Sequence, residues 1–492
     1  MIGLVKNYLF NLLFYTLNFI FAILLSVILA RSLGATKMGQ YSYMIWLMSS
    51  LALILTLGLP KALTRFIALF NPGEENISTT RLISRVLIFE LKVSSIATVI
   101  FFIILTVTNL NDKLFYYIIL LSFPILVLNN ILSAAFQGVQ KFKLNSQISL
   151  VILSSNLLFT MLVIVLKGGV KELLILNLFI AIMTLVVSWY FLRKNIKFNS
   201  PKLDSNSYSQ IFKYTTSTSL MVFIDLIVLE RSEILFLTLF SSIEQVAFYS
   251  LAFGLVAKAM ALLSGALSGV IMPKVAEYHG GENHQGITTI YYHSTRFLMF
   301  IILPLALGGI VISDLLINLL YGNTYLPMIP VLNILLISGG LIAVVAAASS
   351  VIYGIGKQIV ILKIGIALVI INLTLDLFLI PRFHAIGAAL ATAIAQVVGV
   401  FLGTFYIVYI RKMKFPWYPS LKVLVSATFS ASIIFLMKSY WLNSTLIQLI
   451  ILGLFFILFY LSFLMVLKFF DKKDLILIET ARKIFVTRKA EN

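Results

Sequence analysis

The fold class this sequence predicts is an all-α, multi-pass membrane protein of about 14 transmembrane helices, built as two six-helix parallel repeats plus two extra C-terminal helices. Three observations predict it. The chain is 61% hydrophobic and 11% charged, with a mean hydropathy of +1.05, far from soluble usage. Its apolar residues fall in stretches close to the roughly 20 residues that cross a bilayer as a helix. The third observation is internal repetition. Displaced by 216 positions, Ser133, Gly138, Lys141, Ile148, Asn156, Leu157, Ile164 and Leu174 fall on Ser349, Gly354, Lys357, Ile364, Asn372, Leu373, Ile380 and Leu390. Displaced by 208, Tyr41-Ser42 falls on Tyr249-Ser250. An even number of spans per repeat orients both blocks the same way in the membrane. Parallel repeats of this kind are related by an axis along the membrane normal, with a substrate site between them.

The spans are expected at about 8–30, 41–64, 84–108, 114–136, 147–166 and 171–192 for the first lobe, residues 1–192. A cytoplasmic linker, 193–213, carries Asn199-Ser-Pro201 and joins the lobes. The second lobe, 214–410, has spans at about 214–240, 246–272, 294–318, 328–352, 358–379 and 385–410. Spans at about 421–438 and 445–467 lie in the additional segment 411–467 and have no counterpart in the repeat. Residues 468–492 form a basic cytoplasmic tail. Turn chemistry marks the connections, as at Asn109-Leu-Asn-Asp112 and Gly168-Gly169. The first apolar run ends at Arg31-Ser-Leu-Gly34 without a small-residue cleavage site, which predicts a retained helix.

The net charge of +19 invites a nucleic-acid reading, but its distribution argues for topology. Of the 37 Lys and Arg, 27 fall on the side of the N-terminus, 7 on the other side, and 3 (Lys92, Arg231 and Lys258) within spans. By the positive-inside rule both termini are expected in the cytoplasm, with the protein in the cell (plasma or inner) membrane. The basic inner face suits anionic membrane lipids, and no nucleic acid is expected.

Ionisable groups inside a bilayer are costly unless they face a cavity or a partner, so each is a site candidate. The densest cluster is on spans seven and eight: Asp225, Glu230, Arg231 and Glu233, then Lys258. At about 100° per residue, Glu230 and Glu233 lie about 60° apart and Arg231 points about 100° from Glu230. Span seven thus presents an acidic stripe and a separate cation. Glu90 and Lys92 sit about two turns into span three, where snorkelling to the interface is the expected account. Span two holds Gly58-Leu-Pro60-Lys61 and then Arg65. The proline breaks the helix ladder, and Lys61 and Arg65 share a face. Arg31, at the outer end of span one, suits either an anchor or the outer rim of a cavity.

Catalytic signatures are absent. There are no cysteines, no nucleotide-binding lysine loop and no nucleophile elbow. Gly354-Ile-Gly356-Lys357 is a lone glycine turn between spans. The four histidines (His279, His284, His293, His384) lack ligand spacing, so neither a metal nor a cofactor is expected, and the chain reads as a transporter and not an enzyme.

The stretches Ala30-Arg-Ser-Leu-Gly-Ala-Thr36 with Gly39 and Tyr41, and Gly58-Leu-Pro-Lys-Ala-Leu-Thr-Arg-Phe66, resemble the opening of polysaccharide-export flippases of the multidrug/oligosaccharidyl-lipid/polysaccharide exporter superfamily. Arg231-Ser-Glu233, Phe248-Tyr-Ser250, Tyr353-Gly-Ile-Gly356 and Pro381 to Gly387 extend the resemblance through the second repeat. It implies an alternating-access flippase for a polyprenyl-pyrophosphate-linked oligosaccharide. The two additional spans resemble those that form a lipid-tail groove in lipid II flippases. Those flippases carry arginines in their first helix, whereas residues 8–30 here hold no charge. The pyrophosphate contacts are therefore expected from Arg231 and Lys258, with Arg31, Lys61 and Arg65 secondary. Asp225, Glu230 and Glu233 are the candidates for proton or sodium coupling. The expected partners are the lipid-linked oligosaccharide, membrane lipids and a polysaccharide polymerase or glycosyltransferases, with the protein itself a monomer. The rival readings are a multidrug antiporter of the same superfamily, a lipid II flippase, and a membrane glycosyltransferase. The last needs a large outer loop, and no outer loop here exceeds roughly a dozen residues.

Overall fold

The computed structural model describes residues 2–70, 77–108, 112–139, 141–195, 219, 232–438 and 446–470. Every regular element among these residues is helical. The helices are α1 (Ile2–Leu55), α2 (Leu59–Phe70), α3 (Ile77–Val107), α4 (Lys113–Gly138), α5 (Phe142–Val165), α6 (Val170–Asn195), α7 (Glu233–Phe240), α8 (Ile243–Gly280), α9 (His284–Val311), α10 (Ser313–Tyr321), α11 (Ile329–Gly354), α12 (Gln358–Phe405), α13 (Trp417–Lys438) and α14 (Leu446–Val466). A 3₁₀ turn, Asn323–Met328, precedes α11, and a π-helical turn, Tyr406–Ile410, ends α12. Among the described residues, 11 helices are long and apolar enough to cross a membrane.

Two of these helices carry two expected spans each. The 54 residues of α1 would run about 80 Å if straight, well beyond one bilayer. The helix breaks at Gly34, whose φ of 72° and ψ of 172° lie where only glycine sits without strain. A side chain there would meet nothing within 4 Å, so torsion and not space selects glycine. α12 likewise breaks at His384, with φ 52° and ψ −129°. Span two is itself interrupted. Leu57 and Gly58 have positive φ, and α2 restarts with Pro60 in its first turn, where the missing N–H costs no helical hydrogen bond. The Ser219 hydroxyl donates to the Leu57 carbonyl at 2.6 Å, satisfying a group that the break releases. Most of span seven, the linker beyond Asn195 and the tail beyond Phe470 lie outside the described residues.

The chain divides into two compact units. One is Met1–Leu255 with Leu362–Ala391, and the other is Val256–Ile361 with Thr392–Asn492. In the first, α2 lays Ala62, Leu63, Phe66 and Ile67 against α3 and α4, in a core with Ile83, Val86, Ile131 and Ala135. In the second, α13 and α14 pack on one face of α9: Val423, Ala427, Tyr460 and Leu464 enclose Phe300, Leu303 and Leu307.

The repeat is legible in local geometry. A Cβ on Gly138 would meet Ile67 Cβ at 2.7 Å, and a Cβ on Gly354 would meet Val275 Cγ1 at 2.7 Å. Gly354 is the counterpart of Gly138 at 216, and Val275 the counterpart of Ile67 at 208. The following turns match as well: Lys141 N–H donates to Phe136 O at 2.9 Å, and Lys357 N–H donates to Ile352 O at 3.0 Å.

Candidate substrate and coupling sites

Two clusters and several single charged residues elsewhere make up the site candidates. The first cluster is the cationic face of α2. Its buried face consists of Ala62, Leu63, Phe66 and Ile67, so helical spacing puts Lys61 and Arg65 together on the exposed side, one turn apart. The Thr64 hydroxyl reaches both Pro60 O (3.0 Å) and Ala134 O (3.1 Å), pinning α2 to α4 beneath them. Arg31 is exposed one turn before the Gly34 break. Lys258 is exposed on α8 and belongs to the second unit. Arg231, Asp225 and Glu230 lie outside the described residues.

The second cluster surrounds Glu233, which is 3% exposed at the start of α7. Its Oε1 accepts from Asn372 Nδ2 at 3.2 Å. The Ser232 hydroxyl is 3.5 Å from Asn372 Oδ1. One turn along α12 from Asn372, Asp376 is wholly buried and within Coulomb range of Glu233. The chemistry of the set, two carboxyls with amide and hydroxyl oxygens, suits a shared proton or a hard monovalent cation.

Asp376 was not among the residues expected to matter, although its signal was in the sequence: an acid within an apolar span is costly to desolvate, as Glu233 is. The repeat sharpens the point. Asn156 and Asn372 are counterparts, and Thr160 is the counterpart of Asp376. In the first repeat the Thr160 hydroxyl contacts Asn156 Oδ1 at 3.2 Å. The acid therefore stands in the second repeat only.

Glu90 corrects the snorkelling expectation. It is wholly buried, on the α3 face that also carries Ile83, Val86 and Leu87. Lys92, two positions on, is exposed. Snorkelling serves a long side chain on the outer face of a helix, and Glu90 is on the inner one.

A polar contact also joins α1 to α8. The Thr36 hydroxyl donates to Glu244 Oε1 at 2.7 Å, and Gly39 packs directly on the Ile243 carbonyl, leaving no room for a Cβ. Beside it, Ser241 Oγ is 2.9 Å from His384 Nδ1, and Ala385 N–H donates to Gln245 Oε1 at 3.3 Å.

Residues 28–330 match the family described as polysaccharide biosynthesis protein. That match covers more than half of the chain. The chain belongs to this family. It is 24% identical over 421 residues to a putative O-antigen transporter of Shigella flexneri, covering 81% of this chain and 96% of that one. It is 27% identical over 195 residues to the probable low-salt glycan biosynthesis flippase Agl15 of Haloferax volcanii, covering 40% of this chain and 41% of that one. Among solved structures, the lipid II flippase MurJ in an inward closed conformation aligns with a TM-score of 0.77 at 17% identity, over 94% of this chain and 99% of that one. An inward-facing multidrug resistance MATE family transporter of the MOP superfamily aligns with a TM-score of 0.57 at 16% identity, over 82% and 96%. The fold is thus the one seen in these flippase and multidrug-transporter structures.

Proposed function

We propose that this protein is a flippase that carries a polyprenyl-pyrophosphate-linked oligosaccharide across the cytoplasmic membrane by alternating access, for cell-surface polysaccharide synthesis. The observation that carries the reading is the family match, supported by relatives named for O-antigen transport and glycan flipping. Lobes 1–192 and 214–410 move about the linker 193–213, with both termini in the cytoplasm and the monomer as the working unit. The charge-free stretch 8–30 favours this substrate over lipid II.

The exposed pair Lys61 and Arg65 receives the pyrophosphate, together with Arg231, Lys258 and, at the outer end, Arg31. A pyrophosphate needs several donors at once, and guanidinium and ammonium groups supply them without any covalent step. The sugar chain follows through water and hydroxyl partners while the polyprenyl tail stays in lipid. Glu233 and Asp376, together with Asp225 and Glu230 of span seven, take up a proton or cation that drives the return of the empty carrier. Nearby glycosyltransferases or a polymerase supply the substrate and consume the product.

Depleting the protein in its own host tests the reading. Lipid-linked oligosaccharide should accumulate in the inner leaflet while surface polymer disappears, and purified protein in vesicles should restore flipping. Normal surface polymer together with raised sensitivity to cationic drugs would instead support the multidrug reading.

A further inference from the structure

The two repeats treat the exposed face of their third span, α3 and α9, differently. In the second unit, α13 and α14 cover α9. Close to the middle of α9, Arg296 is 6% exposed: its guanidinium donates to the Phe469 carbonyl at 2.5 Å and lies 4.6 Å from the Phe469 ring. That arginine is thus met by an apolar segment that ends in an oxygen acceptor. In the first unit, α3 leaves Ile88, Leu91, Ile96 and Val99 exposed. Beside them runs an apolar groove of about 490 Å³, walled by Leu87 and Leu91 of α3, Leu128 and Leu132 of α4, and Leu185 and Trp189 of α6. That is within the usual size of a small-molecule site.

Cations ring one end of this groove. The Arg193 guanidinium stacks on Trp189 at 4.9 Å, and exposed Lys194 follows it. Ser84 lines the groove and exposed Arg85 is next to it. At about 100° per residue, Arg85 and Lys92 lie about 20° apart on one flank. Glu90, the acid of this turn, points about 140° from Arg85 and is buried. The Lys and Arg count places this end at the inner leaflet.

We infer that this groove binds an anionic glycerophospholipid of the inner leaflet, with one acyl chain along the leucines and the phosphate held by Arg85, Arg193 and the Ser84 hydroxyl. Arginine offers the fork geometry that phosphate accepts, and an indole at the interface fits the level where chain meets headgroup. A zwitterionic lipid would bring its own cation into a ring that already holds Arg85, Arg193 and Lys194. The lipid takes the place on α3 that α13, α14 and the Phe469 carbonyl take on α9, bracing the lobe without another helix. The site is separate from the exposed face of α2 proposed for the substrate.

Native mass spectrometry of the full-length, delipidated protein tests this, using phosphatidylglycerol and phosphatidylcholine of identical acyl chains. Phosphatidylglycerol should bind preferentially, and each of Arg85→Ala and Arg193→Ala should weaken it about fivefold. Val186→Trp, at an exposed rim position, should block the groove and remove binding of both lipids there. Undecaprenyl phosphate, added as competitor, should not displace phosphatidylglycerol. The proposal is overturned by equal binding of the two lipids, by arginine variants that keep the preference, by displacement with undecaprenyl phosphate, or by a second copy of the chain that occupies this face as a dimer sensitive to Val186→Trp.

Discussion

Thr36 and Glu244 are joined by a 2.7 Å hydrogen bond and stand 208 positions apart, the same offset that carries Tyr41-Ser42 onto Tyr249-Ser250. They are counterparts in the two repeats. Equivalent positions of a two-fold repeat touch only close to the axis that relates them. The bond therefore ties the turn between the first two spans of one repeat to the matching turn of the other, and in the proposed topology that turn faces away from the termini.

The first prediction is that this contact must break during transport. The chain has no cysteine, so Thr36→Cys with Glu244→Cys gives a pair free of background. A short bis-thiol cross-linker across it should stop flipping in vesicles, and cleaving the linker should restore it. Gly39→Leu, which cannot seat against the Ile243 carbonyl, should raise labelling of a Thr36→Cys reporter from the outside. Flipping at the full rate by the cross-linked protein would remove this contact from the transport cycle.

The second concerns the buried acids. Asp376→Asn keeps size and removes charge beside Glu233. Flipping driven by an imposed proton or sodium gradient should fall at least about tenfold, in line with the cost of losing a buried charge. Yield and melting temperature should stay near wild type, because a like-charge neighbour has been removed. Glu233→Gln should do the same, and the double variant should be little worse than either, since the two act as one titrating pair. Gradient-driven transport that survives both single changes would exclude this pair from coupling.

Much of this architecture was readable before any coordinates, and the reasons differ from residue to residue. The spans were legible because a bilayer imposes about 20 apolar residues on each, and the repeat because Gly138 and Gly354 must admit a neighbour's side chain. That α1 continues as one helical run broken only at Gly34 was not legible, since Leu33 and Ala35 favour helix as well as their neighbours do. Lys61 and Arg65 were expected to share a face and do. Glu90 was misread because distance from a span's end does not say which side of the helix faces protein. Asp376 was overlooked beside the denser charges of span seven. Arg231, Asp225 and Glu230 lie outside the described residues, so their roles rest on sequence and resemblance.

The third prediction tests the repeat as packing. Gly138→Ala puts a methyl group 2.7 Å from Ile67 Cβ, and Gly354→Ala puts one 2.7 Å from Val275 Cγ1 and 3.0 Å from the Met272 carbonyl. Overpacking of this kind costs about 1–3 kcal/mol. Thermal unfolding in detergent should show comparable losses for the two. Ile67→Ala should relieve the first and Val275→Ala the second, whereas the crossed pairs should add independently. The Gly354 rescue should be the less complete, because a backbone carbonyl cannot be trimmed. Losses without specific rescue would mean that the two glycines serve some other purpose.

The fourth prediction weighs Lys61 and Arg65 as an anion site against a plain topology role. Both are exposed while the opposite face of α2 is buried in the core, so truncating them should leave folding unchanged. The proposed topology follows a 27-to-7 split of Lys and Arg, and removing one or two would not invert it. A substrate role makes a different demand. A charge-assisted contact to a buried phosphate is worth about 2–5 kcal/mol when one partner is removed. Arg65→Ala and Lys61→Ala should therefore each lower flipping by more than about tenfold at normal protein levels. Arg65→Lys should recover part of the rate, because it keeps the charge and loses the fork. The loss should also depend on the substrate. Polyprenyl monophosphate, with less charge to hold, should be bound with a smaller difference between wild type and variant than the pyrophosphate. If both alanine variants export polymer normally, the pyrophosphate is held elsewhere, and Arg231 and Lys258 become the residues to test.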